Sequence, residues 1–228
     1  MPGNKLLGNK IVEGLEMEGL LIAPASLLSD WRVICLQWIA ELTRFSEIMD
    51  YEDAVHEQLE RTNSGMLGIA AAKCGYGVLL EAYVSRGKKG GYLDICFFDP
   101  SRDKSILVEC KWIQGDSRSL IRSAKSSLDE ALEQVSAVEN PPIATKKRYQ
   151  NIEKVGVIFA CPFFQSNLDL ENIKAGLLEI LGDCQKNPFY DAMAWCFSDR
   201  LSTTVRRYQG VYPGIIMLCK EFESSTVA

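Results

Sequence analysis

Three short apolar segments between residues 76 and 112 constrain the fold of this chain most strongly. They read YGVLLEAYVS, YLDICFFD and SILVECKW, and the turn sequences RGKKGG and PSRDK separate them. Short runs rich in β-branched and aromatic residues are typical of strands. Because connections of about five or six residues join neighbouring antiparallel strands, the three segments predict an antiparallel meander.

Helical periodicity is found on both sides of this meander. After it, SRSLIRSAKSSLDEALEQVSAV predicts a helix, which a polar loop and a buried strand in KVGVIFACP follow. Before it, YEDAVHEQLERT predicts a helix over about 51–62 with Val55 and Leu59 on its apolar edge, and SGMLGIAAAKCG continues or restarts that helix up to Gly75. Further upstream, Ser29 is the predicted N-cap of an amphipathic helix that includes Trp31.

The order of these elements predicts an α/β fold, with a mixed β-sheet flanked by helices. The 228 residues contain no linker long enough to force a division, so we predict a single domain. Its core would span about 50–160, with an N-terminal helical part at about 1–49 and a C-terminal α/β extension at about 161–228. Within the extension, LDLENIKAGLLEILGD predicts a helix, and AMAWCFS and GIIMLCKEF predict two strands.

Composition limits the classes of partner and cofactor. The net charge is −5, so the chain is not expected to coat nucleic acid by charge alone, and any phosphate contact must come from local patches. The eight cysteines include no CxxC pair and only one histidine is present, which gives a zinc site little support. We expect reduced thiols in a cytoplasmic protein, and the absence of long apolar runs predicts no membrane segment.

Ionisable residues interrupt two of the three strand segments. Glu109 and Lys111 lie two residues apart in SILVECKW and therefore project from the same face. Asp94 interrupts YLDICFFD, on the face expected for Tyr92 and Cys96. If the two strands pair, Asp94 lies beside Glu109 and Lys111. Burying isolated charges is unfavourable, so such a cluster must be internally paired or must bind a cation.

Two neighbouring carboxylates repel each other unless a cation lies between them, and Mg²⁺ prefers oxygen ligands. Asp94, Glu109 and the backbone carbonyl of Cys110 are therefore candidate metal ligands. Lys111 would orient or deprotonate a water, or stabilise negative charge at phosphorus. The alternative is an exposed Glu109–Lys111 ion pair on an edge strand, which contributes ~0–1 kcal/mol to stability. Apolar residues on both faces of ILVECKW favour an interior strand instead.

The pattern of Asp94, fourteen intervening residues and then Glu109-Cys110-Lys111 resembles the PD-(D/E)XK, or restriction-endonuclease-like, nuclease superfamily. The resemblance covers about residues 50–160 and includes the order helix, three strands, helix, strand. It implies a mixed sheet flanked by helices and a Mg²⁺- or Mn²⁺-dependent endo- or exonuclease that hydrolyses phosphodiester bonds of DNA or RNA. It also implies that Asp94 and Glu109 bind the metal and that Lys111 is the catalytic lysine. Leu93 stands where the proline in the family's name would be.

The resemblance suggests further candidates, because members often carry an additional acid on the helix before the meander. Glu52, Glu57 and Glu60 lie there, and Glu52 and Glu60 fall nearer the apolar edge. Glu81, in the first strand, is a further candidate for the cluster. A packing or surface role is expected for His56, the only histidine.

Basic residues supply the candidate contacts to nucleic acid. Arg86, Lys88 and Lys89 lie around the first turn of the meander, and Arg118 and Arg122 recur four residues apart on the following helix. Ordinary solvent-exposed surfaces explain these basic clusters about as well as contact with nucleic acid does. DNA is the expected partner class.

A second hypothesis retains the fold without hydrolysis. The protein would then be a catalytically inactive nucleic-acid-binding or assembly subunit. The strands AMAWCFS and GIIMLCKEF would provide an exposed edge that pairs with another copy to form a homodimer.

Overall fold

The computed structural model describes residues 10–12, 15–23, 26–86, 89–139, 151–186, 188–202 and 210–222. For residues 10–12, 15, 16, 27, 56, 89 and 118 the description covers the backbone only.

The described residues form ten strands, which we number in chain order. They are β1 Lys10–Val12, β2 Leu15–Ile22, β3 Gly77–Arg86, β4 Lys89–Asp99, β5 Lys104–Gly115, β6 Asn151–Pro162, β7 Phe164–Gln165, β8 Ala192–Phe197, β9 Gly210–Val211 and β10 Gly214–Glu221. The helices are α1 Arg32–Ile48, α2 Glu60–Lys73, α3 Ser117–Ser136, α4 Leu170–Lys186 and α5 Asp199–Ser202, with 3₁₀ turns at Leu27–Trp31 and Val55–Glu57.

Eight of these strands form one mixed sheet in the order β1-β2-β8-β10-β6-β5-β4-β3, and β7 and β9 form a separate pair. The antiparallel pairs β3–β4 and β4–β5 confirm the predicted meander. β5 and β6 run parallel and are joined through α3, the kind of crossover connection that a parallel pair requires. The structure is thus the predicted α/β fold, with helices on a mixed sheet, and α2-β3-β4-β5-α3-β6 follow in the predicted order.

Both faces of the sheet are covered by helices, as the alternation along β6 illustrates. Val157 and Phe159 pack into the core on the side of α1 and α2, which includes Trp38. Ile158 and Ala160 pack into the core on the side of α3 and α4. A central strand buried on both faces explains why its sequence is continuously apolar.

The helix predicted over about 51–62 is wrong in its first part. Residues 51–59 form bends and a short 3₁₀ turn, and α2 begins only at Glu60. The Asp53 carboxylate accepts a hydrogen bond from the Ala54 amide at 2.8 Å, and such local bonds compete with helix formation. Val55 is buried, but Leu59, predicted on the same apolar edge, is 72% exposed.

The N-terminal prediction also needs correction. The part expected to be helical contains β1 and β2, which extend the main sheet. Ser29 lies inside the 3₁₀ turn, and the side chain of Ser26 accepts from the Leu28 amide at 3.0 Å instead. The N-cap is therefore Ser26, three residues before the predicted Ser29.

The predicted C-terminal strands are not an exposed edge. β10 lies between β6 and β8, and β2 covers the other side of β8. These strands are interior, so the edge-pairing route to a homodimer is contradicted for them. The outermost strands of the described sheet are β1 and β3.

All eight cysteines are free in the structure, and six of them are buried. Among the described helices, none combines the length and the hydropathy that crossing a bilayer requires.

Candidate metal centre

The backbone around Asp94 departs from regular sheet pairing. The β4–β5 register ends at Ile95 and Val108, one position before Asp94 and Glu109. The β3–β4 register skips the position where Glu81 faces Asp94, and Glu81 has a positive φ of 52°. The three strands of the meander therefore separate locally at Asp94, and the gap leaves room for side chains.

The Asp94 side chain extends into this gap. Its Oδ2 accepts a hydrogen bond from the Cys110 amide at 2.7 Å, which replaces a backbone-to-backbone bond of the sheet. Burial raises the pKa of Asp94, and the Cys110 amide, Lys111 and Arg86 act in the opposite direction. Asp94 is thus held against β5, but the prediction that it shares a face with Cys96 is not confirmed. Cys96 packs instead beside Leu93, three residues away.

Glu109 lies on β5, an interior strand, and is 5% exposed. Its neighbours Val108 and Cys110 face the core beneath α1 and α2, so Glu109 projects from the other face. Burial and the Asp94 carboxylate raise the pKa of Glu109 to about 7, although Arg86 and Lys111 favour its charged form. The edge-strand alternative for Glu109 and Lys111 is therefore wrong.

Lys111 lies near Glu109 and acts electrostatically on two further acids. Its Nζ lies 3.8 Å from Glu109 Oε1, and its side chain is 21% exposed. Its charge lowers the pKa of Glu60, Asp94 and Glu109 alike. One ammonium group is therefore in electrostatic range of three acids from three different elements.

Glu60, a candidate from the sequence, opens the first turn of α2. Its Oε2 accepts from the Trp112 amide at 3.3 Å, which ties the helix to β5 two residues beyond Cys110. Burial raises the pKa of Glu60, and Asp94 acts in the same direction. Glu52 and Glu57 precede this helix, in the bend and the 3₁₀ turn.

A cleft of about 530 Å³ lies between α2 and the β3–β4 pair at this gap. Glu81 lines it and pairs at 2.5 Å with Arg61, whose side chain is 84% exposed. The side chains that line the rest of the cleft include Glu60, Ser64, Leu80, Tyr92 and Asp94. The cleft is therefore acidic, with one basic side chain that is already paired.

Cys110 contributes through its backbone. Its thiol is buried in the core on the side of α1 and α2, and burial raises the pKa of the thiol well above its usual range. The amide and carbonyl of one strand residue point to the same side, so the Cys110 carbonyl also points towards β4 and Asp94. This orientation fits the predicted carbonyl ligand.

The donor set fits a hard divalent cation. Asp94, Glu109 and the Cys110 carbonyl offer oxygen atoms only, as Mg²⁺ and Mn²⁺ prefer. The mutual repulsion of the two acids would be relieved by a cation between them. Among the described residues, no three His, Cys, Asp or Glu side chains are grouped as a metal site, so the backbone carbonyl and solvent would complete the ligand shell.

The structure does not bring the predicted basic residues into this centre. Arg122 lies on the exposed face of α3 and lines a different cleft with Lys125 and Asp183. Lys88 lies outside the described residues, and the side chains of Lys89 and Arg118 do too. Their predicted contact with nucleic acid remains a prediction.

Arg86 is the residue whose role the sequence reasoning missed. Its Nη2 donates to Glu109 Oε2 at 2.6 Å and to the Tyr92 carbonyl at 3.0 Å. The sequence placed Arg86 among the surface charges of a turn. Its partner Glu109 lies on β5, which β4 separates from the strand of Arg86, so the sequential pairing of neighbouring strands did not indicate this contact.

No protein-family model, curated protein or solved structure matches this chain.

Proposed function

We propose that this protein is a metal-dependent nuclease of the restriction-endonuclease-like class, which hydrolyses phosphodiester bonds of nucleic acid, with DNA as the expected substrate. The observation that carries the proposal is the convergence of Asp94, Glu109 and Lys111 at the point where the strands of the meander separate. The order α2-β3-β4-β5-α3-β6 supports it, since the same order accompanies these residue types in that class.

Each residue has a role that follows from its position. Asp94, Glu109 and the Cys110 carbonyl would hold Mg²⁺ or Mn²⁺, and Glu60 would act from the α2 side. The bound ion supplies positive charge for the scissile phosphate and makes a water more acidic. Lys111 would orient the attacking water or stabilise the negative charge that develops on the phosphate oxygens.

The acidity of the cleft determines the order of binding. Glu60, Glu81 and Asp94 would repel a phosphodiester, and Arg61 is engaged by Glu81. A divalent ion must therefore neutralise the cleft before the substrate binds. We expect nucleic-acid binding at this site to depend on the metal.

The test is cleavage of supercoiled plasmid, linear duplex, single-stranded DNA and RNA with Mg²⁺ or Mn²⁺. We expect Asp94→Asn and Lys111→Ala to reduce the rate by about 10²-fold or more, as is typical for the loss of an acid–base group. Asp129→Asn and Lys125→Ala make the same chemical changes on the exposed face of α3 and should leave the rate unchanged. Equal cleavage by all four variants, or no cleavage of any substrate, would reject the proposal.

A second candidate is an inactive nuclease-like subunit that binds nucleic acid or assembles. The observation in its favour is that the guanidinium of Arg86 already neutralises Glu109. Calorimetric titration with Mn²⁺ separates the two candidates. Heat of binding that disappears in Asp94→Asn favours the nuclease, whereas no binding at millimolar metal favours the inactive subunit.

A further inference from the structure

Two tyrosines on the β3–β4 pair are exposed beside the cleft. Tyr83 and Tyr92 are direct partners in the strand register, and their ring centroids lie 5.6 Å apart in an edge-to-face arrangement. They are 66% and 65% exposed, respectively. A cross-strand aromatic pair stabilises a hairpin, but that role does not require both rings to stay in solvent.

The pair is continuous with the candidate metal centre. Tyr92 lines the same cleft as Asp94, two residues along β4. Arg86 donates both to the Tyr92 carbonyl and to Glu109. Its guanidinium therefore links the backbone of β4 at Tyr92 to the Glu109 side chain. A group resting on Tyr92 is therefore at the same cleft as Asp94, one of the proposed metal ligands.

The packing around Tyr83 and Tyr92 keeps their rings accessible to solvent. A Cβ at Gly90 would overlap the Tyr83 hydroxyl group, so the glycine makes room for the ring to lie along the hairpin. Leu80, which is 50% exposed, adds apolar surface on the cleft side. The result is an apolar, aromatic shelf beside an acidic cleft.

The charges of the cleft select the type of ligand. Acidic residues surround the cleft and Arg61 is paired, so these side chains give a phosphate backbone little attraction. Binding energy must come from the rings and from the metal. Bases stack readily on aromatic side chains, but only unpaired bases expose their faces, because those of a duplex are stacked internally.

We propose that Tyr83 and Tyr92 form a stacking platform for unpaired bases, so that the substrate is single-stranded nucleic acid or a frayed end, not intact duplex. The inference rests on the proposed function, because the phosphate next to the stacked base is the one that would reach the metal. It assigns the two tyrosines to substrate binding and not to the chemical step.

The test measures binding without hydrolysis, in full-length protein carrying Lys111→Ala, with millimolar Mn²⁺. Fluorescence anisotropy gives the Kd for a labelled DNA oligonucleotide, alone and annealed to its complement. We expect the single strand to bind at least about tenfold more tightly than the duplex, and Tyr83→Leu or Tyr92→Leu to weaken it about five- to a hundredfold. Leucine keeps apolar bulk on the strand but removes the aromatic face.

Two matched variants serve as controls. Tyr92→Trp should keep the affinity, because it retains a stacking surface. Ile48→Ala removes an exposed apolar side chain at the end of α1 and should have no effect. Circular dichroism of each variant checks that the fold is retained.

Equal affinity for single strand and duplex, or no change in the leucine variants, overturns the platform. A platform that joins two copies would instead appear as a dimer that dissociates in Tyr83→Leu on light scattering, and that result also overturns the inference.

Failure of the platform is distinct from failure of the nuclease. Cleavage that needs Lys111 but not the tyrosines rejects only the platform, and tyrosine-dependent binding without cleavage rejects only the nuclease.

Discussion

Glu109 is a buried acid whose charged form the fold both opposes and supports. Burial and Asp94 favour the protonated form, whereas Arg86 at 2.6 Å favours the carboxylate. The net result is a pKa of about 7. A metal ligand must be deprotonated, so proton release from Glu109 and cation binding are linked.

Metal-free protein should therefore lose stability as the pH rises. The pKa of Glu109 is raised from 4.5 to about 7, so the folded state binds more protons than the unfolded state between these values. The free energy of unfolding falls across this window, by on the order of 2–3 kcal/mol for this residue. Urea unfolding from pH 5 to pH 8 should show a shallower decline in Glu109→Gln. The surface variant Glu133→Gln is the control, and parallel curves for all three proteins would contradict the assignment.

Arg86 should compete with the metal for Glu109. We expect Arg86→Gln to lower the Kd for Mn²⁺ at pH 8 roughly tenfold, because a nearby positive charge opposes the cation by on the order of 1–2 kcal/mol. Titration calorimetry measures this. Arg61→Gln removes an exposed charge at the same cleft and should change the Kd far less. Unchanged or weaker Mn²⁺ binding in Arg86→Gln would show that the ion pair is not in competition with the metal.

At the scale of elements, the decisive feature is the gap in the meander. The sequence predicted three strands, their order and the acids that interrupt them. It also indicated that Asp94 would lie near Glu109 and Lys111. It could not predict that the pairing stops at Asp94, because a skipped register position depends on the twist of three strands together. The strict alternation assumed for Tyr92, Asp94 and Cys96 failed for that reason.

At the start of α2, the sequence predicted more regular structure than is present. Helical spacing extended the prediction back to residue 51, but Asp53 stabilises a local turn and the helix begins at Glu60. Glu60 consequently occupies the first turn, where its side chain reaches the Trp112 amide. The sequence offered Glu52, Glu57 and Glu60 as candidate acids, and the start of the helix at Glu60 distinguishes this residue from the other two.

Packing between β2 and β8 gives a test of β2, which lies in the part of the chain that the sequence predicted to be helical. Gly19 of β2 pairs with Trp195 of β8, and a Cβ at Gly19 would overlap the indole ring. We expect Gly19→Ala to lower the free energy of unfolding by about 1–3 kcal/mol, as overpacking does. Gly182→Ala, in α4, meets nothing within 4 Å and should raise it by about 0.5–1 kcal/mol. Urea unfolding measures both, and a stable Gly19→Ala variant would contradict the β2–β8 register.

At the scale of the molecule, one sheet combines all parts of the chain. The sequence predicted a core, an N-terminal part and a C-terminal extension, because these segments follow one another along the chain. In space, β10 and β8 continue the sheet from β6, and β2 follows them. Strand order between distant segments is not encoded in local periodicity, which is why AMAWCFS and GIIMLCKEF looked like an edge.

This arrangement predicts that the segment of about 50–160 does not fold alone. Without β10, the buried strand β6 would become an exposed apolar edge, and the cores on both faces would lose residues of β8 and β10. We expect the fragment to lack a cooperative thermal transition, whereas the full chain should unfold in a single one. As point variants, Ile216→Asp in β10 should abolish the transition and Leu178→Asp, on the exposed face of α4, should not. A cooperatively folded fragment would contradict the single-sheet account.

The most direct test of the central claim is a crystal structure of the protein soaked in Mn²⁺, with anomalous difference density measured at the metal absorption edge. The account predicts a peak between the Asp94 and Glu109 carboxylates, close to the Cys110 carbonyl, with the Arg86 guanidinium moved away from Glu109 Oε2. A crystal at saturating Mn²⁺ with no peak there, and with the Arg86–Glu109 pair intact, would contradict it.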